Sequence, residues 1–243
     1  MRLTRRSVSC CRGRRADDAA SVIDGQAVLL ATRNDDKVRE LRPLFAAVAL
    51  RVETLTECGI IESVAEDELE SFDTFEGNAL AKARWFARLA PGRVVCADDS
   101  GLEVDALDAR PGVRSKRWSG RTNLRGRSLD AANNDALLAA LVRAASQGRT
   151  ERTARYVCAA ACVWSGGEFV TRGLCDGVIL QSARGEGGFG YDPLFLSREL
   201  GASFGEVSDE AKRHVSHRSR AFALLLRHVS EVGPFAVKFA VGG

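Results

Sequence analysis

The chain has 243 residues, 45% of them hydrophobic and 28% charged, with a formal net charge of +3, which is the make-up of a globular chain able to bury one large or two-lobed core. The charge is unevenly placed. Arg2, Arg5, Arg6, Arg12, Arg14 and Arg15 stand against Asp17 and Asp18, so residues 1–18 carry +4 and the remainder, +3 minus +4, carries −1. A near-neutral body argues against a broad nucleic-acid-binding face while allowing a local phosphate pocket, and no apolar stretch approaches the roughly 20 residues of a membrane span.

Residues 1–24 lack the apolar run of a secretory signal. A transit peptide and a disordered basic extension both remain open; Asp17, Asp18 and Asp24 spoil the acid-poor transit pattern and favour the extension. The body is expected over 25–232 and a tail over 233–243. Gln26–Thr32 reads as a strand, followed by a helix over Lys37–Val48 with Val38, Leu41, Phe45 and Val48 on one face. Arg51–Glu57 alternates as a second strand, and 59–71 is an acidic linker. Thr74 caps a helix reaching Leu89, which Pro91-Gly92 ends. Arg93–Ala97 is a strand, and a basic loop through Arg127 leads to an Ala/Leu-rich helix over 128–146. Tyr156–Trp164 and Glu168–Leu180 form a hairpin through Ser165-Gly166-Gly167. A glycine-rich loop at 185–190 precedes a helix from Ser216 with Ala221, Leu224, Leu225, His228 and Val229 on one face. Strands alternating with helices and then a long hairpin imply an α/β protein with a mixed sheet.

Chemistry concentrates where the strand enters Asp98-Asp99 and then Ser100-Gly101, read as a turn. Adjacent buried carboxylates must be protonated, paired or metal-bound, and oxygen-only ligands favour a hard cation such as Mg²⁺. A solvated acidic turn would carry the same residues. Between the first strand and helix, Thr32-Arg33-Asn34-Asp35-Asp36-Lys37 places a lysine and a helix amino terminus where an anion would bind, although a capped helix start reads alike. No Walker-type phosphate loop occurs. Gly-Glu-Gly-Gly-Phe-Gly at 185–190 matches a dinucleotide fingerprint in letters, but Asp192-Pro193 follows directly and no helix opens there. A turn presenting Phe189, Tyr191 and Asp192 to a base is the alternative to a hairpin with core aromatics. Lys212, Arg213 and Arg218 crowd His214 and His217 at what reads as a helix start, where cations oppose the dipole and a bound anion would relieve them. The seven cysteines form no Cys-x-x-Cys, and most lie among apolar residues, as reduced thiols of a cytoplasmic protein would.

Taken in order, Ala31–Lys37, Glu70 with Thr74–Ala79 and Lys82-Ala83, Asp98–Val104, Pro111-Gly112, Gly188–Pro193 and Ser216-His217-Arg218 resemble the inosine triphosphate pyrophosphatase family over residues 26–230. The resemblance implies a two-lobed α/β fold, a mixed central sheet flanked by helices and an active site in the cleft between lobes. It also implies Mg²⁺-dependent conversion of non-standard purine nucleoside triphosphates (ITP, dITP, XTP) to the monophosphate and pyrophosphate, by a homodimer.

Carried over residue by residue, the resemblance places the triphosphate on the Thr32–Lys37 segment, with Thr32, Asn34 and Lys37 as the contacts and Arg33, Asp35 and Asp36 between them. Glu70 and Asp99 hold the metal, and Asp99 activates water. Ser100 touches substrate; Phe189, Gly190, Tyr191 and Asp192 hold the base; Lys212 meets phosphate or base; His217 and Arg218 read the base edge. Donors there favour a 6-oxo purine over adenine. Rejection of guanine requires a cramped or donor-poor environment at the 2-position. Lys116, Trp118, Gly205 and Arg213 depart from the family pattern, and Glu68 competes with Glu70 as metal carboxylate. Two rival functions stay open: the same fold acting on other modified nucleotides, and nucleotide or nucleic-acid binding without catalysis.

Overall fold

In the computed structural model, residues 26–235 are described; the basic extension and most of the expected tail lie outside them. Strands β1 (Ala27–Leu30), β2 (Arg51–Thr54), β3 (Val94–Val104), β4 (Arg110–Pro111), β5 (Thr153–Trp164), β6 (Gly167–Ile179) and β7 (Phe195–Ser197) share one sheet. Its order is β2-β1-β3-β5-β6-β7, with β4 pairing β3. The β2-β1-β3 part is parallel and the remainder antiparallel. Helices are α1 (Asp35–Ala46), α2 (Phe75–Leu89), α3 (Gly126–Ala145), α4 (Asp209–Val215) and α5 (His217–Glu231).

Strand alternation divides the core. Val28, Leu30 and Cys96 face α1 and α5, meeting Val38, Leu41, Phe45, Phe222 and Leu225. Leu29, Val95 and Ala97 face the opposite way, against Phe75, Ala79, Ala83 and Phe86 of α2. A third cluster packs α3 against the far ends of β3, β5 and β6 together with Tyr191, Phe195 and Phe204. This third cluster is the second lobe.

Because α1 leads from β1 to one neighbour and α2 leads from β2 to the other, strand order reverses between β1 and β3. Such a reversal opens a crevice at the carboxyl ends of the strands. β1 stops at Leu30, pairing β3 only as far as Cys96, so Asp98 and Asp99 border that crevice on one side and β5 on the other.

Several expectations change here. The strand does not end in a Ser-Gly turn: β3 runs unbroken to Val104, with Asp98 opposite Ala160, Asp99 opposite Ala159 and Gly101 opposite Val157. Gly101 is required by crowding instead, since a Cβ there would lie 2.4 Å from the Gly112 carbonyl oxygen and 2.5 Å from Ser115 Oγ. Val48 falls past the end of α1 and is 43% exposed. Leu224 is 46% exposed, and Phe222 and Leu226 take the buried stripe of α5 with Ala221, Leu225 and Val229. The acidic linker contains a 3₁₀ turn over Val64–Glu68, closed by a capping box between Ser63 and Glu66. At Gly205, an alanine Cβ would lie 2.5 Å from the Arg184 carbonyl oxygen, so close backbone approach accounts for that departure. Phe235, in the segment read as tail, packs beside the α1–α5 cluster.

Candidate active site

A cleft of ≈ 480 Å³ opens between the lobes, bounded by the start of α1, the Asp99 end of the crevice, the 3₁₀ segment over Gly112–Arg117, α3, and the Phe189–Asp192 loop. All the residues carried over from the resemblance line it: Thr32 through Lys37, Glu70, Asp99, Ser100, Phe189 through Asp192, Lys212, His217 and Arg218. Lys82, Lys116 and Asp130 join them.

Asp98 and Asp99 are not a shared metal pair. Successive residues of a strand point to opposite faces, so Asp98 faces α1 and α5 while Asp99 faces α2. Asp98 Oδ2 lies 2.9 Å from Lys37 Nζ and 3.3 Å from Arg218 Nε, and accepts from Ser100 Oγ. Burial alone would raise the Asp98 pKa, but Lys37, Arg218 and Lys82 outweigh it and hold the carboxyl well below the usual range. Asp99 accepts from Asn78 Nδ2 at 2.9 Å, and its Oδ1 lies 3.9 Å from Lys82 Nζ. Burial and the nearby Glu70 push its pKa up against the pull of Lys82. A buried carboxyl with a raised pKa at the edge of a cleft has the character of an acid-base group.

Glu70, rather than the exposed Glu68, turns into the cleft. Its Oε1 accepts from the same Lys82 nitrogen at 2.8 Å. Burial raises the Glu70 pKa, yet Lys82, Lys37 and Lys116 bring it down to about 2. Thus two carboxylates on different elements converge on one cation. No group of three or more His, Cys, Asp or Glu gathers among the described residues. A two-carboxylate, oxygen-only set fits a small hard cation that keeps waters and takes substrate phosphates as its other ligands.

At the phosphate end, Asn34 caps α1 by accepting from the Asp36 and Lys37 amides, and Thr32 Oγ1 accepts from the Asn34 amide. Arg33 is committed elsewhere. Its guanidinium donates twice to Glu66 and once to the Ile60 carbonyl, tying the linker to the β1–α1 loop. Asp35 is exposed, and Asp36 pairs with Arg39.

At the other end, Lys212 lies in the last turn of α4, not at a helix start, so the expected clash of a cation with a helix dipole applies only to Arg218 at the start of α5. Lys212 Nζ pairs with Asp192 at 2.5 Å and Glu40 at 2.7 Å, while Arg218 bonds Glu40, Asp98 and Ser100 Oγ. Glu40 was not singled out from the sequence. Its spacing of three from Lys37 on one helix face was the available signal. Burial would lower the Lys212 pKa, but Asp192 and Glu40 raise it and keep the ammonium charged. Tyr191 and Asp192 are buried rather than displayed: Tyr191 donates to the Ser115 carbonyl, and Asp192 accepts from Tyr156 and the Phe189 amide. The Phe189 ring lies over Lys212 Nζ at 4.9 Å and Arg218 Cζ at 5.5 Å. His217 stacks on Tyr156 at 4.5 Å. Burial, then Arg218 and Lys212, drives its pKa well below 6.5, so the imidazole is neutral.

A crevice at a strand-order reversal, walled by cations and carrying two convergent carboxylates, defines an α/β protein whose cleft suits a polyanion. A profile of the Ham1 family matches residues 28–228, and the chain belongs to that family. It is 44% identical over 207 residues to the dITP/XTP pyrophosphatase of Geobacter sulfurreducens, covering 85% of this chain and 98% of the relative. It is 45% identical over 199 residues to that of Mycobacterium tuberculosis, covering 82% and 93%. Among solved structures, a HAM1 protein from Coxiella burnetii aligns with TM-score 0.71 and 30% identity, covering 84% of this chain and 98% of that one. The Mycobacterium abscessus nucleoside-triphosphatase / dITP/XTP pyrophosphatase aligns with TM-score 0.60 and 41% identity, covering 82% and 98%.

Proposed function

We propose that the protein hydrolyses non-standard purine nucleoside triphosphates, ITP, dITP and XTP, to the monophosphate and pyrophosphate. The observation that carries this is the division of the cleft into a cation-rich phosphate end with Glu70 and Asp99, and a donor-rich end walled by an aromatic ring. Phosphoryl transfer asks chiefly for aligned reactants and charge neutralisation. Lys37 at the start of α1 and Lys82 beside Glu70 supply positive charge along the polyphosphate. Asp99, held by Asn78, takes a proton from the attacking water. Glu70 and Asp99 would hold Mg²⁺, which would supply Lewis-acid stabilisation of the phosphates.

Base choice follows from donors left over. A guanidinium has five N–H bonds; Arg218 spends three on Asp98, Glu40 and Ser100, leaving two. Lys212 spends two of its three on Asp192 and Glu40, leaving one. Surplus donors suit the 6-oxo group of hypoxanthine or xanthine and would sit unpaired against an adenine amino group.

The exposed apolar side chains Ile61, Val64 and Phe72 support a homodimer. Free thiols at the five described cysteines support a reducing compartment such as the cytoplasm. No described helix is long and apolar enough to cross a membrane. Pyrophosphate release measured with Mg²⁺ across ITP, dITP, XTP, GTP, ATP and dTTP tests the reading: the first three should lead. No release above background would overturn it, and a preference for dTTP would shift the substrate class.

A further inference from the structure

One helix holds Gly190 by both its amide and its carbonyl. Asp130 Oδ2 accepts from the Gly190 amide at 2.9 Å, and Asn134 Nδ2 donates to the Gly190 carbonyl at 3.1 Å. The two side chains are four apart and share a face of α3. Their helix is itself fixed to the cleft wall, because the neighbouring Asn133 accepts from the Ser119 amide and donates to the Lys116 carbonyl.

Gly190 has φ +62°, and a Cβ there would meet nothing within 4 Å. Backbone conformation, not crowding, selects glycine. Gly190 thus joins the Phe189 ring to the Tyr191-Asp192 pair in a left-handed conformation that glycine adopts without strain, at the end of a segment with glycines at 185, 187, 188 and 190. Within the loop, Phe189 is tied to Asp192, whose Oδ2 accepts from the Phe189 amide and whose own amide donates to the Phe189 carbonyl. The loop as a unit is anchored from outside at two places, Tyr191 on the Ser115 carbonyl and Gly190 on α3.

We propose that Asp130 and Asn134 are positioning residues for base selectivity: by clamping Gly190 they keep the Phe189 ring at its station over Lys212 and Arg218. The inference rests on reading that end of the cleft as the base subsite. A clamp needs an acceptor at 130 and a donor at 134; it does not need the negative charge of Asp130. That separates it from a direct electrostatic role for this cleft-lining carboxylate.

The test is an ordered set of variants, read by kcat/KM for ITP and ATP and by amide hydrogen exchange over 188–192. Asp130→Asn keeps an acceptor, so exchange stays at the wild-type rate and the ITP:ATP ratio within about twofold. Asp130→Ala and Asn134→Ala each lose one tether: exchange quickens, and the ratio falls about tenfold, the worth of one hydrogen bond, mainly through a higher KM for ITP. Asn134→Asp is worst, since it sets a carboxylate against a carbonyl. Asp130→Asn as damaging as Asp130→Ala would overturn the clamp in favour of charge. Equal losses on all substrates with an unchanged ratio would overturn it in favour of a purely structural role. If the wild-type protein releases no pyrophosphate from ITP, the function falls separately, and the exchange order still decides the clamp.

Discussion

Exchanging Asp98 for asparagine removes a charge with almost no change of shape, and the structure says what that costs. At 2.9 Å the Lys37–Asp98 attraction is ~6 kcal/mol with an effective dielectric near 20. Relief of carboxylate desolvation offsets part of it, while Arg218 loses one of its two counter-charges and keeps Glu40. Breaking a buried pair on one side costs about 3–5 kcal/mol net, roughly 6–20 °C in melting temperature at this chain length. Asp99→Asn should behave in the opposite way. Asp99 lies 3.9 Å from its nearest cation, burial already disfavours its charge, and an asparagine oxygen still accepts from Asn78, so stability changes little, while on the proposed role of Asp99 turnover falls about 1,000-fold or more. Denaturant unfolding and pyrophosphate release on both variants make the comparison. Equal destabilisation by the two exchanges, or an Asp99→Asn enzyme with more than about a tenth of wild-type turnover, would refute the division of labour by strand face.

Against the upward push of burial, the Lys82 ammonium and its neighbours bring the Glu70 pKa from the ordinary 4.5 down to about 2 in the fold, so its stabilisation, ~3 kcal/mol, is present above pH 4.5 and fades as pH falls from 4.5 towards 2; unfolding in chelator should show Glu70→Gln flattening that window, and an identical pH profile in the variant contradicts the Lys82 pairing. His217, depressed well below 6.5, should show no NMR titration between pH 6 and 8, and stability should decline as pH drops below 6.5, where the unfolded imidazole gains a proton that the buried one refuses; a midpoint between pH 6 and 7 sinks that assignment. Gly101→Ala forces a Cβ to within 2.5 Å of the Gly112 carbonyl and Ser115 Oγ and should cost ~3 kcal/mol by overpacking, read as a fall in melting temperature; a neutral substitution would mean that the 3₁₀ segment is free to move.

The local signals read well where they were short-range. Thr74 caps α2, Ser216 caps α5, and the hairpin turns at Ser165-Gly166, one residue tighter than read because Gly167 already pairs Trp164; capping and turn chemistry act within a few residues. Side chains whose partners lie far along the chain were another matter. Arg33, read as one of the phosphate-loop residues, is taken by Glu66; Glu40, on α1, is claimed by Lys212 and Arg218 some 170 residues on. A linear pattern carries no record of such partners, since charge pairing depends on which helix faces are brought together.

What the chain determined by itself was the alternation of strands and helices, which follows from local propensity and periodicity, and an ordered set of motifs that resembles one family. What the tertiary structure alone decided was the use of each charge. Asp98 and Asp99 are chemically identical neighbours, and only the packing of α1 and α5 on one face of β3 and of α2 on the other makes the first a strut between Lys37 and Arg218 and turns the second towards Asn78, Lys82 and the cleft. The physical reason is that a strand sends successive side chains to opposite faces, so their fates are set by whatever the fold lays against each side.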